Sequence, residues 1–116
     1  VKQLNNQLGI MMHVYCHKDD RVALERGGVG EEWMFQLYER LHGAKGYRRP
    51  EGTTFDHVKS GIDAFGDPQH IIDILEMWEA KGIDQVLCWF RYGMLPKNEV
   101  EEGIKLFGEK VIPHFR

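Results

Sequence analysis

Four consecutive residues near the end of the chain, Trp89, Phe90, Arg91 and Tyr92, combine three aromatic rings with a guanidinium. They fall at the carboxyl end of an apolar run. Rings there can line an apolar pocket, and an arginine can meet an anionic group with paired hydrogen bonds. The plainer alternative is a core strand that ends in a surface arginine. His13, Cys16 and His17 carry metal-ligand chemistry, but on a strand His13 and His17 share a face while Cys16 points the other way. No second cluster at metal spacing supplies further ligands, so no metal site is expected. Arg48 and Arg49 beside Tyr47 form a basic spot in a loop, for which a solvated loop is the simpler reading. Gly27-Gly28-Val29-Gly30 lacks both the G-x-G-x-x-G spacing and a following lysine, so it is not a phosphate loop. Gly66-Asp67 precedes a helix start, where backbone N–H groups favour anions. The Asp67 carboxylate already fills that role as a cap. No serine, histidine and carboxylate form a nucleophile motif.

The elements that must position these residues alternate between strand and helix. Ile10 to Cys16 is an apolar run bounded by Gly9 and by Lys18-Asp19-Asp20, which reads as a buried strand. Asp19 or Asp20 caps the next helix. Three glycines within residues 27–30 each cost about 1 kcal/mol in a helix, so a break or kink is expected there. Helix resumes at Glu31, with Met34, Leu37, Tyr38 and Leu41 on one face and Gly43 as its stop. Residues 44–55 read as a loop. Residues 56–65 are ambiguous, with Ile62 to Phe65 a candidate short strand.

Asp67 and Pro68 open a helix whose buried stripe is Ile71, Leu75 and Trp78, flanked by Ile72 and Ile74, and Gly82 ends it. Val86 to Phe90 is apolar at every position, the pattern of a parallel strand covered on both faces. Asn98 with Glu101 suggests a cap for a last helix with Val100, Ile104, Phe107 and Val111 inward. The order βα(β)αβα implies an α/β protein with a parallel sheet and right-handed crossovers.

The chain has 116 residues, enough for one domain with a modest core. It is 42% hydrophobic and 28% charged, with a net charge of −3. That balance gives no reason to expect nucleic acid or an anionic membrane as partner. No run approaches the ~18 apolar residues of a membrane span. The first six residues resemble neither a signal peptide nor an initiator context, which fits a chain cut from a longer frame. Cys16 and Cys88 read as buried hydrophobes, not a disulfide framework, and imply a cytoplasmic setting.

Residues 66–116 also resemble a family. Gly66-Asp67-Pro68-Gln69-His70-Ile71, followed by Gly82-Ile83-Asp84-Gln85-Val86, is similar to a segment of the luciferase-like flavin-dependent monooxygenases. Gly93-Met94-Leu95-Pro96 and the ending Leu106-Phe107, then Val111-Ile112-Pro113-His114-Phe115, resemble their terminus. The glycines at 27–30 depart from the alanine-rich helix usual there.

The resemblance implies a partial TIM (β/α)8 barrel, with residues 1–116 forming its C-terminal fragment, roughly the last three βα units of a fold of about 250 residues. It implies a flavin cofactor, FMN or reduced flavin with a deazaflavin possible, and a small organic substrate oxidised with molecular oxygen. It places Trp89, Phe90, Arg91 and Tyr92 at the cofactor end of the barrel and names no catalytic acid or base. Two alternatives stand beside it. One is a small self-associating α/β binding or regulatory module without flavin; the other is a split-barrel subunit completed by a missing N-terminal segment. No turnover is expected of the chain alone.

A three-strand wedge of a barrel exposes sheet edges and an apolar face, so a homo-oligomer is expected. Sedimentation velocity should show a dimer or larger species. A monomer at every concentration would contradict this.

Overall fold

A computed structural model describes residues 7–116, so the opening hexapeptide lies outside the described residues. Strand β1, Gly9–Cys16, is followed by helix α1, Asp20–His42, and a short 3-10 turn at Gly43–Lys45. Helix α2 covers Thr54–Lys59, strand β2 Ala64–Gly66 and helix α3 Pro68–Ala80. Strand β3 covers Gln85–Trp89 and helix α4 Lys97–Lys110, with a closing 3-10 turn at Ile112–Phe115.

The three strands form an open, all-parallel sheet in the order β2-β1-β3. β1 is therefore central. Its first half pairs with β3, from Gly9 opposite Gln85 to His13 opposite Trp89. Its second half pairs with β2, from Val14 opposite Ala64 to Cys16 opposite Gly66.

Period-2 alternation along β1 divides the core in two. Met12, Val14 and Cys16 face α3 and α4, where they pack with Ile71, Ile72, Ile74, Phe107 and Val111. Tyr15 faces the other way and packs with Phe65, Ala23, Met34, Val58, Tyr92 and Leu95 under α1 and α2. Helices thus lie on both faces, which follows from right-handed crossovers that leave β1 in one direction and return past it in the other.

Several expectations require correction. α1 runs unbroken through the glycines. A Cβ at Gly27 would lie 2.9 Å from the Phe65 ring, and one at Gly30 2.9 Å from the Tyr92 ring. Bare backbone is what lets the helix approach, and packing offsets the helix penalty. β3 is not covered on both faces: Leu87 is 55% exposed and Trp89 37%, and Met11 of β1 beside them is 63% exposed. Among the described residues, no helix covers this face over that half of the sheet.

Leu41 and Ile104 are also exposed. At the second of these positions Gly103 faces inward instead, close to the Cys16 carbonyl. α4 starts at Lys97 behind Pro96 with no side-chain cap, so the Asn98 cap does not form. α2 lies in the stretch read as loop and ambiguous chain. Its signal was the capping box of Thr53 and Asp56.

The loop after β3 turns at Gly93 and Met94, both with φ near +59°, and Leu95 N–H closes it on the Tyr92 carbonyl at 3.2 Å. Gly93 sits directly on the Gly30 carbonyl, so a side chain there meets backbone. Gly93→Ala should therefore destabilise the fold by about 2–3 kcal/mol, combining overpacking with left-handed strain. Denaturant melts give the value, and a loss below about 0.5 kcal/mol would contradict the close contact.

Candidate functional site

The residues singled out at the end of β3 separate on folding. Trp89 stands on the exposed sheet face, its indole N–H donating to the Arg91 carbonyl at 2.6 Å. Phe90 turns to the opposite side, edge-on to Phe107 at 5.2 Å, and joins the core. Arg91 is exposed, and Tyr92 is buried. Tyr92 donates its hydroxyl to the Gly27 carbonyl at 3.3 Å. Burial pushes the Tyr92 phenol well above its ordinary range, aided by the charges of Glu31 and Asp63, so it stays a donor.

Trp89, Arg91 and Tyr92 line one side of an open groove of about 490 Å³, and Trp33, Leu37 and Tyr38 of α1 line the other, with Met94 at the rim. The α1 residues were legible only as a helical face, because their approach to β3 depends on the tertiary fold.

Behind Tyr92 lies a cluster that local spacing does not reveal. The His13 ring stacks on Tyr92 at 4.4 Å and meets Trp89 edge-on at 4.9 Å. Its Nδ1 lies 2.8 Å from Glu31 Oε2. His57 Nε2 of α2 is 3.2 Å from Asp63 Oδ2 and 3.5 Å from Glu31 Oε1. Asp63 Oδ1 accepts the His13 backbone N–H at 2.7 Å. Glu31 and Asp63 are both buried. Thus His13 finds its partners on α1 and beside α2, not at Cys16 and His17.

At the carboxyl end of β1, Tyr15 donates to Glu99 Oε2 at 2.8 Å and Arg26 pairs with Glu99 Oε1 at 3.0 Å. Burial and the Glu99 bond push the Tyr15 phenol up to about 12. Burial, with Asp67's charge, pushes the Cys16 thiol up to about 12, and burial also raises Cys88. Both cysteines are free and act as packing residues, not thiolates. Arg49 is not a free cation: Glu32 and Glu39 hold it at 2.8 Å each, and it lies over the Phe35 ring. Asp67 caps α3 through His70 N–H at 2.8 Å, which leaves no anion site there.

No protein-family model matches the chain. It is 30% identical over 95 residues to the 5,10-methylenetetrahydromethanopterin reductase of Methanopyrus kandleri, a match that covers 82% of this chain and 26% of the reductase. Its structure superposes on a monooxygenase from Streptomyces bottropensis with a TM-score of 0.80, over 98% of this chain and 33% of that one, at 16% identity. That neighbour has a TIM-barrel-like fold, and at this identity the likeness speaks to fold alone. The chain therefore spans about a quarter of its curated relative. Among the described residues no helix is long and apolar enough to cross a membrane.

Asp20 ties the two halves of this end of the sheet together. Its Oδ1 accepts Asp67 N–H at 2.9 Å and lies 2.8 Å from His70 Nδ1. Partial burial pushes the Asp20 carboxyl up, but the Asp67 amide and the His70 bond outweigh it and hold it below its ordinary range. A depressed carboxyl stabilises the fold above its unfolded pKa and loses that contribution as pH falls through the folded value. Asp20→Asn should lower the melting temperature by about 2–4 °C at pH 7, and the gap should begin to narrow below about pH 4 and close as the pH falls through the folded value. A gap constant from pH 7 to pH 3 would contradict this.

Proposed function

We propose that the chain is the C-terminal part of a luciferase-like oxidoreductase that uses FMN or a deazaflavin, with residues 1–116 supplying the last βα units of its barrel. The observation that carries this reading is the 30% identity to a methylenetetrahydromethanopterin reductase along 82% of the chain. The fold match to a monooxygenase is consistent with it.

The groove fits such a cofactor. It is walled by flat aromatic rings, and Arg91 is an exposed cation at the same loop. Trp89 and Trp33 would contact a planar ring system, Tyr92 would form the floor, and Arg91 would meet a phosphate or the negative charge of a reduced ring. Phe90 would support the site from the core. When bound, the flavin supplies the redox chemistry. The protein's own residues orient it and keep water from its face, a task for Met94, Leu95 and Leu37 at the groove wall. The substrate is a small organic molecule, and molecular oxygen is the oxidant in the monooxygenase version of this reading.

The bare sheet face of Met11, Leu87 and Trp89 supports completion of the fold by a further segment or a second copy. Two free cysteines support a cytoplasmic setting.

Titration of the chain with FMN and with a deazaflavin, followed by flavin fluorescence, tests the site. Saturable quenching is expected with at least one of them. Trp89→Ala or Arg91→Ala should weaken binding about tenfold, equivalent to about 1.4 kcal/mol. No saturation with either cofactor, or no effect of both substitutions, would overturn the assignment of the groove.

A further inference from the structure

The buried cluster beside the groove has a chemistry that flavin binding does not use. Two carboxylates, Glu31 and Asp63, are removed from water within one small volume. Burying two like charges together is expensive unless positive charge balances them. The groups that face them are the imidazoles of His13 and His57. Side-chain exposure across all four lies between 5% and 12%.

We propose that His13, Glu31, His57 and Asp63 form a closed structural site for a divalent transition-metal ion of the zinc type. The donor set is two imidazole nitrogens and two carboxylate oxygens, which suits zinc and its neighbours better than calcium or magnesium, whose ligands are oxygens. Atoms around a tetrahedral zinc lie about 2.0–2.2 Å from the ion, which places them about 3.4 Å from one another.

His57 Nε2 already stands 3.2 Å from Asp63 Oδ2 and 3.5 Å from Glu31 Oε1. One ligand atom each from His13, Glu31 and Asp63 lies within 4.8 Å of the others; His57 stands outside that set and would complete it by a shift of its ring toward the ion. The 2.8 Å contact between His13 Nδ1 and Glu31 Oε2 would open by about half an ångström around the ion.

The surroundings hold these ligands in place. Tyr92 stacks on the His13 ring, Phe35 meets the His57 ring edge-on at 5.0 Å, and the His13 backbone amide fixes Asp63. Such outer contacts orient metal ligands in general. A divalent ion with neutral imidazoles would balance the two carboxylates. It would also tie together β1, α1, α2 and the segment that leads into β2.

The test starts from chain stripped of metal with a chelator. Cobalt(II) should produce the intense visible bands of a four-coordinate centre, saturating at one equivalent, and zinc should abolish them by displacement. Zinc in excess should raise the melting temperature by about 10 °C. His57→Gln and Glu31→Gln should each lose both responses. Because either variant can fail to fold, zinc-edge X-ray absorption on the unsubstituted chain gives an independent reading: two imidazoles and two oxygens at about 2.0–2.1 Å. The proposal is overturned if no cobalt bands form, if bands persist in folded His57→Gln and Glu31→Gln chains, or if the zinc shell contains sulfur or a single imidazole. Absence of these signals would reduce the cluster to a hydrogen-bonded packing network, and it would leave the groove's flavin assignment unaffected.

Discussion

Helix α1 reaches the sheet only because residues 27 and 30 carry no side chains. Phe65 and Tyr92 occupy the space that Cβ atoms would take, and the loop backbone at Gly93 rests on the Gly30 carbonyl. This close approach fixes the height of the helix above β1. One residue after Gly30, Glu31 is thereby set under His13, and one turn further on Met34 enters the core beneath the groove. A helix held a side chain's width further out would leave Glu31 short of both imidazoles and open the floor of the groove.

The same sheet has two unlike faces. One is packed by α3 and α4 through aliphatic contacts, with Val86 and Cys88 of β3 partly buried against them. The other is covered by α1 only over the second half of β1, while Met11, Leu87 and Trp89 face outward ahead of it. In a barrel the inner face of each strand is packed by layers of side chains from its neighbours. Here the sheet is open, its order β2-β1-β3 differs from the sequential strand order of a closed barrel, and the chain matches one third of a monooxygenase chain in fold. The aromatic groove and the histidine–carboxylate cluster both sit at the boundary between the covered and bare halves, where polar and apolar surfaces meet.

Much of this was legible in the sequence, and the reasons differ by element. Strand β1 and helix α3 carry signals that act locally: an apolar run bounded by charges, and Asp67-Pro68 at a helix start. Both form where expected. The glycines at 27–30 misled because helix propensity is a local cost, whereas their benefit is a contact with Phe65 and Tyr92, 38 and 62 residues away from Gly27 and Gly30 respectively. β3 looked covered on both faces because composition records apolar residues but not which neighbour reaches them. The cluster was illegible for the same reason: His13, Glu31, His57 and Asp63 come from four separate segments, and only the fold brings them together.

The groove and the cluster both depend on α1 being one continuous helix seated on the sheet through its glycines. Native-state hydrogen exchange at the amides of residues 27–31 tests it most directly, because an intact helix bonds these amides to carbonyls one turn back, whereas a broken one leaves them to water. Protection through this stretch should equal that at Ala23 and Met34, within about tenfold. Exchange at Gly27, Gly28 and Gly30 near the unprotected rate, with protection only on either side, would contradict it.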